Sequence, residues 1–333
     1  MTRQDTPLIF LGDVQCAALS VRSSLPAGFV VANLEAPLTH AAKRAEGKIC
    51  LKANPAHVTL LRDLGVRAVS LANNHLLDYG EEGVDETLRT LSAAGIAHFG
   101  FGSAEDHYGN PLVVHAGGAA VGLLSYAHPS CRPLTQTGGR GIALYDPARV
   151  QADVARARAL GCVSVVVCLH WGNEDCPVPT AQQVAVAREV YALGADHLIG
   201  HHSHIVQPRS GRTFFGLGNV HMAELNEPVI QGGAVSHVFR KIHMPWNTWS
   251  VVPILDLPGG QTRVWRSRLR GSELSFTPGG VMNVPPPLLA PLARAEPLVR
   301  RLYYWTRLAR LFWQQPRLPN RAQLALVFGR SRP

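Results

Sequence analysis

The sequence predicts an α/β protein built from layers of strands and helices. Short apolar runs typical of strands alternate with helical segments through about residue 200, and strand-and-turn patterns follow Arg212. Of the 333 residues, 46% are hydrophobic and 17% are charged. This composition supports a substantial buried core and excludes a disordered or fibrous protein. The length allows one large domain or two small ones.

The predicted strands are short apolar runs bounded by turn-forming residues. Before Arg212 they cover residues 7–11, 29–32, 66–71, 163–169 and 197–199. Residues 111–126 predict a hairpin that turns at Gly117 and Gly118. After Arg212, further strands are predicted over residues 213–217, 249–257 and 262–269, the last two joined by a turn at Gly259 and Gly260.

Helices are predicted from their start and stop signals. Asn54 and Pro55 supply an N-cap and a first-turn proline for a helix that ends near Leu64. Gly95 closes a helix over residues 81–94. Asp146 and Pro147 open a third helix, and a fourth covers residues 180–193.

The net charge of +9 is concentrated at the C-terminal end. Residues 294–333 carry nine arginines and one acidic residue, Glu296, so +8 lies in this segment and the rest of the chain is nearly neutral. We therefore predict a domain over residues 1–284 and a tail over residues 285–333. The tail is predicted to be a proline-rich linker at Pro285-Pro286-Pro287 followed by a basic amphipathic helix.

The tail has two structural interpretations. Apolar residues recur at helical spacing, at Leu298, Leu302, Trp305, Leu308 and Phe312, with Arg300, Arg307 and Arg310 largely on the other side. Tryptophan and phenylalanine opposite arginine fit a helix that lies in a membrane surface. The favoured alternative packs the apolar stripe on the body of the protein and leaves the arginines in solvent. A nucleic-acid partner is not expected, because the rest of the chain offers no basic face.

The termini and the cysteines predict a cytoplasmic protein. The apolar run over residues 8–11 is too short for a signal peptide, and no apolar stretch reaches the roughly 18–20 residues of a membrane span. A peripheral position on the inner membrane face, through the tail, remains compatible with this. The six cysteines form no CxxC pair and are predicted to be reduced core residues.

Polar residues with metal-ligand chemistry follow the ends of five apolar runs. They are Asp13; Glu35; Asn73, Asn74 and His75; His170; and His201, His202 and His204. The carboxyl ends of parallel strands lie along one edge of a sheet, where α/β folds place their sites. These residues would form a mixed oxygen and nitrogen site without thiolates, which suits manganese, iron or zinc better than calcium or a structural zinc cage.

Each of these residues taken singly also has a purely structural interpretation. Asp13 and the pair Asn73-Asn74 are residue types that form turns or cap helices. His170 could be a hydrogen-bonded buried histidine at a strand end. The recurrence at five strand ends nevertheless favours a common site.

Six short motifs occur in order between about residues 8 and 220. They are Gly12-Asp13-Val14; Asn33-Leu34-Glu35-Ala36-Pro37-Leu38-Thr39; Ser70-Leu71-Ala72-Asn73-Asn74-His75 with Asp78-Tyr79-Gly80; His170-Trp171-Gly172; Gly200-His201-His202-Ser203-His204; and Leu217-Gly218-Asn219. Together they resemble the CapA/PgsA family of bacterial capsule and poly-γ-glutamate synthesis proteins, and Lys48 also fits its pattern.

The resemblance implies a fold related to the calcineurin-like metallophosphoesterases, a four-layer α-β-β-α sandwich with two sheets between helices. It also implies one or two divalent transition-metal ions, manganese, iron or zinc. The metal ligands carried over by position are Asp13, Glu35, Asn74, His170, His202 and His204. The implied catalytic residues are His75, the acid for the leaving group, and Asp78. The residues expected to bind substrate are Lys48, Asn33, Asn73, His201 and Asn219.

The chain departs from the phosphoesterase pattern at Gln15, where a histidine is usual. A neutral amide binds transition metals more weakly than imidazole, so one of two metal positions is expected to be weakened or empty. His221, which follows Gly218-Asn219 by two residues, is interpreted as a surface residue rather than an extra ligand.

The clustered ligand residues and the family resemblance together predict a metal-dependent hydrolase with phosphoester-type chemistry, and the resemblance implies a link to capsule or poly-γ-glutamate biosynthesis. Its substrate is expected to be an anionic small molecule or polymer, and a capsule synthase is a candidate partner. One alternative is an accessory subunit without catalysis that binds an anionic polymer or the synthase. Another is a metal-dependent hydrolase of amides, including the γ-glutamyl bond.

Overall fold

The computed structural model describes residues 6–137, 139–257 and 260–314. The first ten strands of this part of the chain are β1 Leu8–Val14, β2 Ser20–Val21, β3 Phe29–Leu34, β4 Val66–Ser70, β5 Ala97–Phe99, β6 Phe101–Gly102, β7 Leu112–Ala116, β8 Ala119–Ala127, β9 Gln136–Thr137 and β10 Arg140–Ile142. The next ten are β11 Ser164–His170, β12 His197–His201, β13 Arg209–Ser210, β14 Thr213–Phe214, β15 Asn219–His221, β16 Leu225–Gln231, β17 Ala234–Lys241, β18 Trp249–Asp256, β19 Gln261–Arg270 and β20 Glu273–Pro278.

The α-helices of the described residues begin at the predicted capping signals in several cases. They are α1 Thr59–Asp63, α2 Gly80–Ala93, α3 Pro147–Ala159, α4 Ala181–Ala192, α5 Pro286–Arg294 and α6 Glu296–Gln314. The Asp146 side chain caps α3 by accepting from Arg149 N, and Thr180 forms a capping box with Gln183 at the start of α4. Asn54 caps a short 3-10 helix, Pro55–Val58, that leads into α1.

The first large sheet has the strand order β2-β20-β19-β18-β1-β3-β4-β5, with β15 paired to β1. Strands β1, β3, β4 and β5 run parallel, and β18 lies antiparallel to β1. The second large sheet has the order β13-β14-β12-β11-β8-β7, with β8, β11 and β12 parallel. Each sheet therefore has a parallel half whose carboxyl ends lie on one edge.

The core between the sheets is made by alternate residues of the central strands. Leu8 and Phe10 of β1 share a buried cluster with Val166 and Cys168 of β11. Their neighbours point the other way, because successive side chains of a strand lie on opposite faces. Ile9 therefore packs in the cluster of the outer face that also contains residues of α1 and α2.

Helices cover the outer face of the second sheet as well. Val165 and Val167 of β11 pack in one buried cluster with Val154 of α3, Val190 of α4 and Leu289 of α5. The order of layers is helix, sheet, sheet, helix, which confirms the predicted four-layer α-β-β-α sandwich.

The C-terminal segment differs in detail from the predicted tail. Pro286 and Pro287 of the predicted linker already belong to α5, and Leu289 and Ala293 of this helix are buried, so most of the predicted linker begins a packed helix. The amphipathic helix forms as α6, but Leu298 and Leu302 are exposed, which contradicts the favoured packing of the apolar stripe on the body. Residues 315–333 and the Phe312 side chain lie outside the described part, and the domain boundary stays a prediction.

The cysteines are all free and buried, as predicted. Within the described residues, no helix is long and apolar enough to cross a membrane. The cytoplasmic location stays a prediction.

The β16–β17 hairpin was not predicted, and it lies on the same side of the molecule as the loop at Gly47, whose N–H donates to Ile230 O at 2.7 Å.

Candidate metal centre

The polar residues at the five strand ends meet between the carboxyl ends of the two parallel half-sheets. Asp13 is the last residue but one of β1, Glu35 follows β3, and residues 73–75 follow β4 of the first sheet. His170 ends β11, and His201 ends β12 of the second sheet. The predicted clustering is thus confirmed, although the contributing strands belong to two sheets rather than one.

Glu35 is the centre of the cluster. Its side chain is fully buried, and Oε1 lies 3.6 Å from His170 Nε2 and 3.5 Å from His204 Nε2. This oxygen has no hydrogen-bond partner in the described part of the chain. A buried carboxylate oxygen without a partner is costly, and a bound cation would supply the missing partner.

Two groups of potential ligands share Glu35. One contains Glu35, His170 and His202, and the other contains Asp13, Glu35 and His204; in each, the ligand atoms lie within 4.8 Å of one another. Asn74 joins the first group, since its Oδ1 lies 2.7 Å from His170 Nε2. The six predicted ligands therefore come together as carboxylate, amide and imidazole donors, a set that fits a transition metal.

The protonation states of the cluster also fit metal binding. Burial lowers the pKa of His170 well below its usual value, with the neighbouring histidines adding to the effect. Burial likewise lowers the pKa of His202 to about 4 and lowers the pKa of His204. The imidazoles are therefore neutral at pH 7 and keep a lone pair for a metal. Burial and the negative charges of Asp13 and Glu174 raise the pKa of Glu35 well above its usual value, and a bound cation would reverse this.

Asp13 is held by hydrogen bonds on several sides. Burial acts to raise the pKa of this carboxyl, but the hydrogen bond and charge of His201, the charge of His204 and the hydrogen bond from Asn33 together lower the pKa below its usual value. His201 Nδ1 lies 3.0 Å from Asp13 Oδ1, and Asn33 Nδ2 donates to the same oxygen at 2.8 Å. The His202 backbone N–H donates to Asp13 Oδ2 at 3.2 Å. Asp13 is therefore ionised and oriented, as a metal ligand requires.

Several of the residues predicted to bind substrate contact the predicted ligands, and Asn219 also lines the pocket beside them; their role toward a substrate stays a prediction. Besides Asp13, Asn33 Nδ2 donates to Glu35 Oε2 at 3.3 Å. Asn219 Oδ1 lies 3.0 Å from His204 Nδ1. Asn73 Oδ1 accepts from the backbone N–H groups of His75 and Leu76 at 3.0 Å each, and so shapes the loop after β4. These side chains orient ligands and the loop that carries His75.

His75 lies beside the ligand cluster and lines a pocket. Its Nδ1 lies 2.7 Å from Asp78 Oδ2, and Asp78 is fully buried. The Lys48 amino group donates to Asp78 Oδ1 and to the Asn74 carbonyl. Lys48 thus contacts Asp78 of the predicted catalytic pair, and its side chain is only 18% exposed.

Local backbone geometry brings the ligands together. Asp13 N donates to Gly218 O at 3.0 Å, and a Cβ at Gly12 would lie 2.0 Å from that oxygen, so only glycine allows this approach. His202 and His204 adopt positive φ angles of 84° and 56°. Such conformations are strained for residues other than glycine and occur at functional sites. The turn after β12 therefore aims both side chains at Glu35 at a conformational cost.

Gln15 lies outside both ligand groups. Its Nε2 donates to Lys52 O at 3.0 Å, and its Oε1 accepts from Ala223 N at 2.9 Å. The amide therefore ties two loops together. His221 is half-buried, and its Nδ1 lies 2.5 Å from Gln15 O, so it also has a structural contact. The ligand group that contains Asp13 consists of Asp13, Glu35 and His204, and residue 15 does not contribute to it.

Sequence reasoning missed a group of charges at the rim of the site. Lys241 Nζ donates to Glu174 Oε2 at 2.7 Å and lies 3.4 Å from Asp175 Oδ2. Arg307 of α6 donates to Asp175 Oδ2 at 2.6 Å. Asn247 Nδ2 donates to Asp175 Oδ1 at 3.0 Å and to the His204 carbonyl at 3.1 Å. In the sequence, only the acidic pair Glu174-Asp175, which follows His170-Trp171-Gly172 closely, could have indicated these charged residues.

A pocket opens to solvent beside the ligands. Its polar lining residues include His75, Glu174, His204, Asn219, Lys241 and His243. Its apolar lining residues include Ile49, Leu51, Leu225 and Phe239. Leu225 and Phe239 belong to the β16–β17 hairpin, which therefore forms one wall of the pocket. A substrate could reach His75 and the ligand cluster through this space.

A family model described as bacterial capsule synthesis protein PGA_cap matches residues 18–223. The chain belongs to this family. The capsule biosynthesis protein CapA of Bacillus anthracis is 28% identical over 203 residues, which cover 57% of this chain and 49% of the relative. The PGA biosynthesis protein CapA of Bacillus subtilis (strain 168) is 29% identical over 199 residues, which cover 57% and 52%. The chain thus spans about half the length of these curated relatives.

Comparison with solved structures gives a weaker similarity. The calcineurin-like phosphoesterase YfkN from Bacillus subtilis matches with a TM-score of 0.44 and 12% identity, over 92% of this chain and 98% of that one. A 5'-nucleotidase precursor from Thermus thermophilus matches with a TM-score of 0.42 and 15% identity, over 91% and 59%. The four-layer architecture itself is established by the packing of the chain's own sheets and helices.

Proposed function

We propose that this member of the capsule synthesis family is a metal-dependent hydrolase of phosphoester-type bonds that acts in capsule or poly-γ-glutamate assembly. The observation that carries the proposal is the Glu35 carboxylate, buried, without a hydrogen-bond partner for Oε1 in the described residues, and shared by two ligand groups. The biological process follows the names of the relatives, the capsule biosynthesis protein and the PGA biosynthesis protein.

The ligand groups support binding of one or two ions of manganese, iron or zinc. Asp13, Glu35 and His204 would hold one ion, and Glu35, His170 and His202 would hold the other. When bound, such ions supply a hydrolytic nucleophile at neutral pH and polarise a phosphoryl oxygen. The absence of Gln15 from the group that contains Asp13 supports the expectation that the ion held by Asp13, Glu35 and His204 is bound less tightly.

His75 is the group proposed to donate a proton to the leaving oxygen. Because Asp78 accepts from Nδ1–H, Nε2 is the ring nitrogen that can exchange a proton with a molecule in the pocket. Asp78 acts through His75 by fixing the orientation of the ring, and Lys48 balances the buried charge of Asp78. His75 is therefore the catalytic residue of this pair, and Asp78 and Lys48 are positioning residues.

Hydrolysis of model esters and of the polymer tests this function against the alternatives. The purified full chain is incubated with manganese, iron or zinc and with bis-para-nitrophenyl phosphate, para-nitrophenyl phosphate or poly-γ-glutamate. The proposal predicts metal-dependent release of nitrophenol and its loss with a chelator. Shortening of the polymer without release of nitrophenol would instead identify an amide hydrolase. Retention of intact polymer, with neither ester cleaved, would identify an accessory subunit.

A further inference from the structure

Helix α6 contacts the rest of the chain through one face. Arg307 donates to Asp175 at 2.6 Å, and Glu296 Oε1 accepts from Asn173 Nδ2 at 2.9 Å. The ring centroids of Tyr303 and Trp246 lie 4.8 Å apart. Residues 296, 303 and 307 follow one another at spacings of seven and four, so they lie on the same side of the helix. These contacts fix the rotation of α6 on the body.

The opposite face of α6 is apolar and exposed. Leu298 is 64% exposed, Leu302 is 56% exposed and Trp305 is 47% exposed. Their spacings of four and three residues place them in one row, which Ala309 extends by four residues. Trp313 near the helix end is 86% exposed. The rotation set by Arg307 and Glu296 therefore turns the apolar row toward solvent, and such a contiguous patch marks an interaction surface.

The surroundings of this row are basic. Arg301 on α6 and Arg294 at the end of α5 are both exposed. Glu296, the one acidic residue after position 293, faces inward, bound to Asn173 and paired with Arg300 at 2.9 Å. A second copy of the chain docked through the same row would bring these arginines together without acidic partners. An anionic surface complements them instead.

From these observations we propose that the outward row of α6, Leu298, Leu302 and Trp305, docks the protein on an anionic phospholipid surface. Leucine and tryptophan enter the boundary between headgroups and acyl chains, and the flanking arginines contact lipid phosphates. Arg307 of the same helix donates a hydrogen bond to Asp175, and Glu174, the residue before Asp175, lines the pocket. A helix docked on the membrane would therefore be connected to the pocket through the segment that contains Glu174 and Asp175. This inference does not depend on the hydrolytic activity.

Co-flotation of the full chain with vesicles tests the proposal. The protein is expected to float with vesicles of equal parts phosphatidylcholine and phosphatidylglycerol, and to stay in the dense fraction with phosphatidylcholine alone. The double variant Leu298→Ser/Leu302→Ser is expected to lower the partition coefficient about tenfold or more, since each buried leucine contributes to interfacial binding. The matched control, Val235→Ser/Val238→Ser, removes two apolar side chains that are 59% and 53% exposed on the β16–β17 hairpin and should bind like the wild type.

Three results would overturn the proposal. One is an absence of flotation with the anionic vesicles. Another is equal flotation of the α6 double variant and the wild type, which would assign binding to charge alone or to another surface. The third is a dimer, seen by light scattering without vesicles, that the α6 variant alone abolishes while no protein floats. Thermal melting of each variant establishes that the folded proteins are being compared.

Discussion

The Asp78 carboxylate lies 2.7 Å from Nδ1 of His75 and fixes the orientation of its imidazole ring. Asp78 is itself held by Lys48 and by the Leu51 backbone N–H, which donates to Oδ2 at 2.6 Å. With Nδ1 committed to Asp78, Nε2 is the nitrogen that can serve a substrate in the pocket. The pair stands next to the metal ligands without belonging to either ligand group.

Replacement of His75 should remove catalysis and keep the metal. His75→Ala is expected to lower kcat for bis-para-nitrophenyl phosphate by roughly 10²–10⁴-fold, the usual contribution of a general acid. Elemental analysis of the purified variant should give the metal content of the wild type, because the ligand groups do not include His75. Loss of metal together with activity would place His75 in the ligand set instead. A variant as active as the wild type would remove it from the mechanism.

Lys48 should affect turnover more than substrate binding. Its amino group contacts Asp78 and the Asn74 carbonyl, so Lys48→Met removes the charge that balances Asp78 beside His75. We expect kcat to fall about tenfold or more while KM changes little. Steady-state kinetics with the chromogenic diester measure both values. A raised KM with unchanged kcat would show that Lys48 binds substrate directly, as the sequence resemblance implies.

Removal of the Arg307 guanidinium should weaken the packing of α6. Arg307→Ala leaves the buried Asp175 with Lys241 and Asn247 as partners, and we expect the free energy of unfolding to fall by about 1–3 kcal/mol. Arg301→Ala on the exposed side is the matched control and should change it by less than about 0.5 kcal/mol. Urea unfolding gives both values. Equal effects of the two substitutions would contradict the role assigned to the Arg307–Asp175 pair.

His197 should make the protein less stable in acid. Burial lowers the pKa of this β12 residue to about 4, and the charge of Arg212 adds to the effect. In the unfolded chain the pKa is about 6.5, so unfolding takes up a proton between these values. The stability contributed by neutral His197 is present above about pH 6.5 and falls by about 3 kcal/mol as the pH decreases toward about 4.

Unfolding measured across this pH window tests the assignment. The wild type and His197→Leu are compared with a chelator present, so that the histidines of the ligand cluster contribute equally to both. The variant should show a shallower loss of stability between neutral pH and about pH 4. Parallel curves for the two proteins would show that His197 does not titrate with a lowered pKa.

The sequence predicted the parts of the fold and site that depend on local pattern. The buried parallel strands read as continuous apolar runs, and the polar residue after each run marks its carboxyl end. For this reason Asp13, Glu35 and His170 could be identified before the structure was known. Helix starts were also predictable, since Asp146 and Thr180 carry their caps beside them.

Features that depend on contacts between distant residues were not predictable. Strand β17 is largely exposed, β16 is mostly half-buried, and neither has a buried alternating face, so the hairpin left no clear pattern. Lys241 acquires its role only by meeting Glu174, which is 67 residues away in the chain. The predicted packing of the apolar row of α6 on the body was wrong, because helical periodicity identifies such a row but not what it faces. The contacts of Arg307 and Glu296 decide the rotation of the helix.

The central claim is that the ligand cluster around Glu35 supports metal-dependent hydrolysis. Its most direct test is the initial rate of bis-para-nitrophenyl phosphate hydrolysis while manganese is added to chelator-treated protein. The rate should rise from background and saturate for the wild type. For Glu35→Gln it should stay at background, because both ligand groups lose their shared carboxylate. Wild-type protein that binds manganese but hydrolyses the diester no faster than manganese in buffer would contradict the claim.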